Sequence, residues 1–330
     1  MNDLEILLNT ALGHRIQKLD SKHTGAIRLF NGFFEGNPDF CIDLFGKTIL
    51  INHYQKTPNP DLAAYITKWT QQILPFVDCV VLKERYANTP QGKQGTIHFG
   101  TEPCQQIAEN GVWYKVDLTM NHDASFYLDT RNLREWLKRY STGKTILNAF
   151  AYTGSLGIAA LAGGASHVTQ LDKSAKFLNL AKESITLNTI EPSRMKIKVD
   201  DFFPAISHYK KAGASYDFVL LDPPFFSTTS SGRVDLNSGF VNLINKVRPL
   251  IKHNGKLICI NNALFVSGAE VMKAIELIFG DGYVSFDQIL DVDQSYIGYG
   301  EKPSKLLPVD PTPFNHSTKI LILNITKKAQ

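Results

Sequence analysis

The sequence predicts an α/β protein in which a small α+β domain precedes a larger domain with a mostly parallel sheet. From about residue 144 onward, short apolar runs alternate with amphipathic stretches of about a dozen residues, which is typical of parallel strands joined by crossover helices. The last two apolar runs, 283–292 and 317–326, are joined by a polar, proline-rich loop and indicate an antiparallel pair at a sheet edge. These patterns predict a Rossmann-like larger domain with an antiparallel C-terminal strand.

The N-terminal part of the chain has a different pattern. Its first 20 residues predict a helix, because apolar residues recur at helical spacing. Strands are then predicted at AIRLFNG, FCIDLFG, TILINHY, CVVLKERY and GVWYKVDL, with one helix over PDLAAYITKWTQQIL and a polar loop at NTPQGKQGT. We therefore expect an N-terminal helix over 1–20, a small α+β domain over 21–115 and the larger domain over 116–330.

In the larger domain, polar or glycine-rich residues follow the predicted strands. Strands are predicted over 145–150, 167–172, 195–201, 216–224 and 255–262, and helices over 155–164, 174–190, 202–213 and 239–251. The first four strands end in NAFAYTG, Asp172, Asp200–Asp201 and DPPFF. Ligands of open α/β sheets bind beyond the carboxyl ends of the strands, so we expect the ligand site there.

The composition excludes several classes of protein. The 330 residues are 43% hydrophobic and 20% charged, as in ordinary globular proteins, and the net charge of +4 permits an RNA partner without requiring one. The four cysteines are far apart and include no CxxC pair, so we expect neither a disulfide framework nor a metal site. No apolar run is long enough to span a bilayer and the first residues do not resemble a signal peptide, so we expect a cytoplasmic protein.

The turn after the first strand of the larger domain, NAFAYTGSLG, indicates the kind of ligand. It has glycine only at Gly154 and Gly157, and Phe150 and Tyr152 stand where a pyrophosphate cradle would need small residues. S-adenosylmethionine, which has an adenosine end, a sulfonium and no phosphate, fits this turn. The two rings are compatible with cation–π attraction to the sulfonium, and the alternative is that each ring belongs to the core.

Acidic residues after the next two strands suit the adenosine end of this cofactor. Asp172 lies about 20 residues beyond the turn, where a carboxylate can accept hydrogen bonds from both ribose hydroxyls. Asp201 is a candidate for binding the adenine amino group. The alternative for both acids is a role as N-cap of the helix that follows.

The sequence LLDPPFF, residues 220–226, predicts the substrate site. Two prolines directly after a strand end its hydrogen-bond ladder and hold the chain in an extended corner. Asp222 and the carbonyl of Pro223 would then face outward as fixed acceptors. Phe225 or Phe226 would offer a flat ring on which a base can stack.

These motifs resemble the class I S-adenosylmethionine-dependent methyltransferases, and more narrowly the bacterial large-subunit ribosomal RNA base methyltransferases of the cytosine-C5 and guanine-N7 types. The resemblance rests on FYLDTRNLR, LNAFAYTGSLGIAALAGGASHVTQLDKS, LNTI, the DD pair and DPPFF, and it extends to AIRLFNGFFEGNPDFCIDLFGKTILI in the small domain. It implies S-adenosylmethionine as cofactor, RNA as partner and a YLDTR stretch that closes over the methionine end of the cofactor. The chain starts too late for the PUA-type RNA-binding module of many C5 enzymes, so the small domain or its QGKQG loop is expected to bind RNA.

The residues and the resemblance together assign the site. The predicted cofactor-binding residues are Phe126, Asp129, Arg131, Asn148, Phe150, Tyr152, Thr153, Gly154, Asp172, Lys173, Asp200, Asp201 and Asp222. The predicted catalytic residues are Asp222, Pro223 and Phe225, and the predicted substrate-binding residues are Asn261, Asn262 and Phe226. A local alternative for the YLDTR stretch is that Asp129 caps the following helix and Arg131 pairs with Glu135.

The methylated atom depends on whether a cysteine follows the fifth strand. C5 of cytosine is not nucleophilic, and C5 enzymes activate it by attack of a cysteine thiolate on C6. In LICINNALF the matching position is Asn262, whereas Cys259 lies inside the strand, where a core role is expected. N7 of guanine needs only proximity and orientation. The sequence therefore predicts methylation at a ring nitrogen, guanine N7 first, with an exocyclic amine or cytosine C5 as alternatives.

Two other classes of function remain compatible with the sequence. A nicotinamide dehydrogenase could use the same sheet, although the missing third glycine and DPPFF argue against it. An inactive cofactor-binding protein that interacts with RNA is also compatible, because N7 methylation requires no catalytic side chain. In either RNA-binding case we expect Lys83, Arg85 and Lys93, near the NTPQGKQGT loop, to form part of the RNA surface.

Overall fold

The structure is a computed structural model that describes residues 2–57, 59–224, 226–229, 232–235, 239–300 and 308–327. The chain divides into two compact units. The first unit comprises Met1–Asp129 and Asp293–Leu306, and the second comprises Thr130–Val292 and Leu307–Gln330. Each unit has its own sheet and its own hydrophobic core.

Helices and strands follow one another along the chain as α1 (Asn2–Gly13), β1 (Ala26–Asn31), β2 (Phe40–Phe45), β3 (Thr48–His53), α2 (Pro60–Ile73), β4 (Cys79–Glu84), α3 (Pro90–Gln94), β5 (Thr96–Phe99), β6 (Gln106–Glu109), β7 (Val112–Lys115), α4 (Arg131–Tyr140), β8 (Thr145–Ala149), α5 (Ser155–Ala162), β9 (His167–Asp172), α6 (Ala175–Leu187), β10 (Met195–Val199), α7 (Phe202–Lys211), β11 (Tyr216–Leu221), β12 (Phe226–Thr229), β13 (Gly232–Asp235), α8 (Phe240–Val247), β14 (Ile251–Asn261), α9 (Gly268–Glu276), β15 (Val284–Leu290), α10 (Gln294–Ile297) and β16 (Lys319–Ile325). Single turns of 3-10 helix lie at Ile16–Lys18, Leu128–Thr130, Pro192–Arg194, Arg248–Leu250 and Phe279–Asp281.

The main sheet of the first unit has the order β1-β2-β3-β4-β5. Strands β3 and β4 are parallel and are connected by α2, and the other neighbours are antiparallel. Alternate residues of a strand point to opposite faces, and Ile42, Ile49 and Ile51 belong to a core that also contains residues of α1 and α2. Burial of this apolar face accounts for the packing of both helices on the sheet.

The opposite face of the same sheet carries polar side chains that are also buried. Arg28 on β1 forms a bidentate ion pair with Asp43 on β2, with Nε–Oδ1 at 2.8 Å and Nη2–Oδ2 at 3.1 Å. The guanidinium lies over the ring of Tyr296, 4.0 Å from its centroid. These contacts attach α10 to β1 within the first unit.

Lys83 on β4 is fully buried on this polar face. Its Nζ donates hydrogen bonds to the carbonyl oxygens of Asn121 and Asp123, and burial lowers its pKa to about 8. The expectation that Lys83 belongs to an RNA surface is therefore wrong. The same hydrogen bonds tie the segment after β7 to the sheet, so the first unit ends at Asp129 and not near residue 115.

The sheet of the second unit has the order β10-β9-β8-β11-β14-β16-β15. The first five of these strands are parallel, and β16 pairs antiparallel with both β14 and β15. The prediction of a Rossmann-like, mostly parallel sheet with an antiparallel C-terminal strand is confirmed. This topology places the carboxyl ends of the five parallel strands at one edge of the sheet.

Several elements differ from the sequence-based predictions. The sequence predicts a loop over 88–96, but this stretch contains the short helix α3, whose N-cap Thr89 accepts a hydrogen bond from the backbone N–H of Gly92 at 3.1 Å. The strand predicted in GVWYKVDL pairs with an unpredicted strand, β6, through Asn110–Gly111, both with positive φ. The helix predicted over 239–251 ends at Val247, because Pro249 cannot continue an α-helix, and β14 begins at Ile251.

Helices α4 and α5 approach each other closely at Gly163. This residue is the C-cap of α5, and a Cβ atom there would lie 2.1 Å from the carbonyl oxygen of Lys138 on α4. Its φ of −79° is ordinary, so the requirement for glycine comes from the contact and not from backbone conformation. Backbone atoms cannot rotate away, and any side chain here must push the two helices apart.

We expect Gly163→Ala to lower the free energy of unfolding by about 1–3 kcal/mol, the usual cost of overpacking. Urea denaturation followed by circular dichroism measures this. The matched control is Gly280→Ala in the same unit, where, apart from the adjoining residues, no atom of the described part of the chain lies within 4 Å of the added Cβ, and we expect a change within about 0.5 kcal/mol. Equal stability of the two variants would contradict the close contact.

Candidate functional site

The parallel strands of the second unit end at a common level. Backbone pairing places Ala149 of β8 beside Leu171 of β9 and Leu221 of β11, and Leu221 beside Cys259 of β14. The last residue of β10 pairs with Asp172. The structure therefore brings the strand-end residues predicted for the site to one edge of the sheet, except for Phe225, which lies outside the described residues.

The turn between β8 and α5 has an unusual backbone. Phe150, Tyr152 and Gly154 have φ values of 60°, 51° and 78°, all in the left-handed region. Glycine adopts this region without strain, and at Gly154 a Cβ atom would also lie 2.7 Å from the Cβ of Ala181. For the two aromatic residues the conformation is costly, and such strained positions cluster at functional sites.

The rings of Phe150 and Tyr152 pack against the helices that follow the neighbouring strands. Phe150 stacks on Phe202 of α7, with ring centroids 4.6 Å apart and planes at 20°. Tyr152 meets Phe177 of α6 edge to face, also at 4.6 Å. Both rings are half-buried and contribute to packing, as in the core alternative. Their contact with a cofactor sulfonium stays a prediction.

Asp172 connects the turn after β8 to the turn after its own strand. Its Oδ2 accepts a hydrogen bond from the backbone N–H of Tyr152, and its Oδ1 accepts one from that of Ser174, both at 2.9 Å. Burial raises the pKa of this carboxyl, and the two hydrogen bonds offset part of that rise. The N-cap of α6 is Ser174, so the alternative that Asp172 caps this helix is wrong.

A buried pair of amides supports the turn from behind, and the sequence reading missed one of them. Asn148, predicted to bind the cofactor, is 1% exposed, and its Nδ2 donates to Oε1 of Gln170 at 2.8 Å. Gln170 in turn donates from Nε2 to the carbonyl oxygen of Gly154 at 3.0 Å. A Cβ at Gly157 would lie 2.2 Å from the same Nε2. The available signal was a glutamine inside the otherwise apolar strand β9.

The other predicted residues at these strand ends have local partners. Asp200 forms an ion pair with Lys198 at 2.9 Å, and this contact lowers the pKa of Asp200. Asp201 is the N-cap of α7 and accepts a hydrogen bond from the backbone N–H of Phe203 at 3.1 Å, so its N-cap alternative is confirmed. Lys173 is exposed and Thr153 is buried in the turn. Cofactor contacts of these residues stay predictions.

The residues after β11 lie beside the turn. The backbone N–H of Asp222 points to the carbonyl oxygen of Ala149 at 3.5 Å, and its side chain is half-buried. Pro223 is buried. Phe226 is the first residue of β12, which forms an antiparallel pair with β13 that the sequence did not predict.

Two asparagines at the end of β14, Asn261 as its last residue and Asn262 directly after it, occupy different environments. Asn261 is 1% exposed, its Oδ1 accepts a hydrogen bond from the backbone N–H of Ala263 at 3.0 Å, and its Nδ2 meets no acceptor among the described residues. Asn262 is exposed. Cys259 is fully buried in β14, and burial raises the pKa of its thiol well above the ordinary range. The core role expected for Cys259 is confirmed.

The YLDTR stretch contains the point where the first unit ends and the second begins. Phe126 and Asp129 belong to the first unit and Arg131 to the second. Phe126 is buried, with its ring centroid 5.0 Å from that of Tyr114. Asp129 is buried, and the N-cap of α4 is Thr130, so Asp129 does not cap this helix. The roles of all three toward a cofactor stay predictions.

The chemistry of the strand ends fits an adenosyl sulfonium. Four carboxylates lie there, on Asp172, Asp200, Asp201 and Asp222. They disfavour a pyrophosphate, can accept hydrogen bonds from ribose hydroxyls and the adenine amino group, and attract a cation. In the described ranges, no group of three or more His, Cys, Asp or Glu side chains is arranged to hold a metal ion. None of the described helices has both the length and the apolarity to cross a membrane.

Comparison with known proteins covers the strand ends described above. The family described as S-adenosylmethionine-dependent methyltransferase matches residues 59–274. The fold resembles the crystal structure of SMU.776, a candidate methyltransferase in complex with S-adenosylhomocysteine (SAH), with a TM-score of 0.86 and 23% identity over 98% of this chain and 81% of that chain.

Two relatives are named ribosomal RNA large subunit methyltransferase I. The protein from Erwinia tasmaniensis is 28% identical over 70% of this chain and 59% of its own length. The protein from Escherichia coli O1:K1 / APEC is 30% identical over 66% of this chain and 58% of its own length. The chain thus matches about three fifths of the length of these relatives.

The match to the family covers the strand ends described above, including Asp172, Asp222 and the two asparagines at the end of β14. The carboxylates found there suit the adenosine and sulfonium parts of S-adenosylmethionine, which is the cofactor of this family. The chain belongs to the S-adenosylmethionine-dependent methyltransferases.

Proposed function

We propose that this protein transfers a methyl group from S-adenosylmethionine to a base of RNA, at N7 of guanine and without a covalent intermediate. One observation gives the main support for a ring nitrogen, and against cytosine C5, as the methylated atom. The exposed position after β14 is occupied by Asn262, whereas the nearby thiol, Cys259, is buried inside the strand with a raised pKa. A buried, protonated thiol cannot attack C6 of a cytosine.

The chemistry of N7 methylation suits such a site. The bound cofactor supplies an electrophilic methyl group on a positively charged sulfur. The lone pair of guanine N7 would form the new bond to this methyl group as the methyl–sulfur bond breaks. S-adenosylhomocysteine would leave with a neutral sulfur, and the base would take the positive charge without loss of a proton. The enzyme then needs only to hold the two reactants in line, which by itself can lower the barrier considerably. We assign Asp172 to the ribose hydroxyls and Asp222, Pro223 and Asn262 to the acceptor base.

The RNA substrate is supported by the relatives. Both are named for ribosomal RNA of the large subunit, which we take as the first candidate substrate. In the first unit, Lys93 on α3 is exposed and remains a candidate for phosphate contact. Arg85 is partly exposed and pairs with Asp123 at 3.4 Å, so it is a weaker candidate than Lys93.

The alternatives differ in what they require of the side chains. Methylation of an exocyclic amine releases a proton, and Asp222 is an acceptor in the right region. Methylation of cytosine C5 requires a nucleophile that the described residues do not place after β14. An inactive RNA-binding protein would bind cofactor and RNA without turnover. The dehydrogenase alternative is wrong, because the chain belongs to a methyltransferase family.

The test of the proposed function is a methyl-transfer assay with labelled S-adenosylmethionine and unmodified large-subunit ribosomal RNA, followed by mass spectrometry of the nucleosides. We expect N7-methylguanosine. Recovery of 5-methylcytidine or an N-methylated exocyclic amine would overturn the choice of atom. RNA binding without any transfer would favour the inactive protein.

We expect S-adenosylmethionine to bind with micromolar-range affinity, and Asp172→Ala to weaken this binding at least tenfold, about 1.4 kcal/mol, through loss of the ribose hydrogen bonds. Isothermal calorimetry measures both values. Because burial raises the pKa of Asp172, acidification should weaken wild-type binding at a higher pH than for an ordinary aspartate. Asp172→Asn should lose this pH dependence, and unchanged affinity in the alanine variant would remove Asp172 from the site.

We expect Cys259→Ala to keep turnover within a few-fold of wild type, because no thiolate takes part. A small loss can come from the cavity left in the core around β14. RNA in which 5-fluorocytosine replaces cytosine gives the opposing measurement, since this base traps a covalent enzyme adduct. An adduct that disappears in the Cys259→Ala variant would make this a C5-cytosine enzyme.

A further inference from the structure

The segment that joins β14 to α9, residues 262–266, is held firmly at both ends. The backbone N–H of Ala263 donates to Oδ1 of Asn261 at 3.0 Å, and Ala263 is fully buried. At the other end, Ser267 and Glu270 form a capping box that starts α9. The backbone N–H of Gly268 donates to the carbonyl oxygen of Asp310 at 3.0 Å. The segment is therefore a short, fixed connection.

A buried lysine adds a further tie to this segment. Lys319 on β16 pairs with Asn261 in the sheet and is 1% exposed. Its Nζ donates to the carbonyl oxygens of Ala263 at 2.9 Å and Ser317 at 2.8 Å. Burial of an ammonium group is costly, and it lowers the pKa of Lys319 to about 8. An apolar side chain would fill this space at lower cost but would leave the carbonyl of Ala263 without this donor.

The fixed segment presents apolar side chains to the solvent. Leu264 is 52% exposed and Phe265 is 64% exposed, which makes Phe265 the most exposed aromatic side chain among the described residues. Asn262 is exposed beside them. A flexible loop could turn such side chains inward, but this one is tied through both backbone groups of Ala263. Their exposure is therefore a stable property of the folded unit.

The position of the segment indicates what it contacts. Strand β14 is the neighbour of β11, and Cys259 is paired with Leu221, so Asn262 and Phe265 follow a strand that ends at the same edge as Asp222. A ring and an amide on a rigid segment match an unstacked nucleobase, which offers a flat face for stacking and polar edges for hydrogen bonds. A protein partner is less favoured, because two apolar side chains form only a small patch.

We infer that Asn262, Leu264 and Phe265 form the nucleobase-binding surface of the RNA site, and that the ring of Phe265 stacks on an unpaired base of the substrate. This inference rests on the proposed function and adds a substrate-contacting residue to it. Stacking does not read base identity, since every base has a flat face. Phe265 therefore contributes affinity for the unpaired strand, and selection of the base falls to the polar groups beside it.

The test is steady-state methyl transfer by Phe265→Ala, with calorimetry of cofactor binding as a separate readout. We expect the KM for RNA to rise about tenfold, within the range found when a stacking ring is removed, while the affinity for S-adenosylmethionine stays within about twofold. Phe265→Trp keeps a stacking face and should restore the KM for RNA. Its indole fluorescence should also be quenched by a short single-stranded RNA.

The matched control is Phe286→Ala, which removes another exposed phenylalanine, 41% exposed on β15 of the same unit. We expect its KM for RNA to stay within about twofold of wild type. Equal KM values for Phe265→Ala and Phe286→Ala, in an enzyme whose wild type methylates RNA, would overturn this inference and leave the proposed function intact. Absence of methyl transfer by the wild type would instead overturn the proposed function.

Discussion

The carboxylate of Asp172 holds together the edge of the sheet on which the site depends. It accepts backbone hydrogen bonds from Tyr152 and Ser174, so one side chain fixes the start of two successive turns. A carboxylate has about four acceptor positions, so these two bonds do not use its whole acceptor capacity. The same group can therefore shape the turn and bind the adenosine end of the cofactor, and its burial strengthens both kinds of hydrogen bond.

The two glycines of the turn are required for different physical reasons. Gly154 needs its left-handed backbone, whereas Gly157 is in an ordinary helix and is small because Gln170 lies against it. Gln170 bridges Asn148 and the carbonyl of Gly154, so the polar network lies behind the turn and not in front of it. The spacing of Gly154 and Gly157 resembles a ligand-binding fingerprint, but internal packing accounts for part of it. The network leaves the turn rigid, which favours a cofactor bound in one orientation.

Buried polar groups of the second unit also hold the segment after β14 that we propose as a substrate contact. Lys319 and Asn261 together hold both backbone groups of Ala263, and this leaves Asn262 and Phe265 facing outward. Catalysis by placement, as proposed for N7 of guanine, depends on such rigidity more than on any reactive side chain. The buried thiol of Cys259 agrees with this division of roles, because the strand contributes to the core and the residues after it are those that we propose as substrate contacts.

The sequence by itself determined the fold class and the cofactor, and it predicted which strand ends lie together at one edge of the sheet. Hydrophobic periodicity is a local property, and the order of strands and helices places the strand ends together whatever their exact register. Helix N-caps depend on residues close in sequence and could also be predicted, and Asp201 is one of them. Some helix boundaries differ from the predicted ones near prolines and glycines, as at Val247 and in α3. The local effects of these residues compete with one another over a few positions.

Only the tertiary structure decided which polar side chains are buried and what they hold. Lysine usually lies at the surface, but Lys83 is buried, and its ammonium group donates hydrogen bonds to carbonyl groups about 40 residues away in the chain. Lys319 meets Ala263 across an antiparallel pair of strands, and Gln170 meets Asn148 across a parallel pair. These contacts depend on strand pairing between distant segments, which residue type and local spacing do not encode. The charge of a lysine is visible in a sequence, but its environment exists only once the sheet has formed.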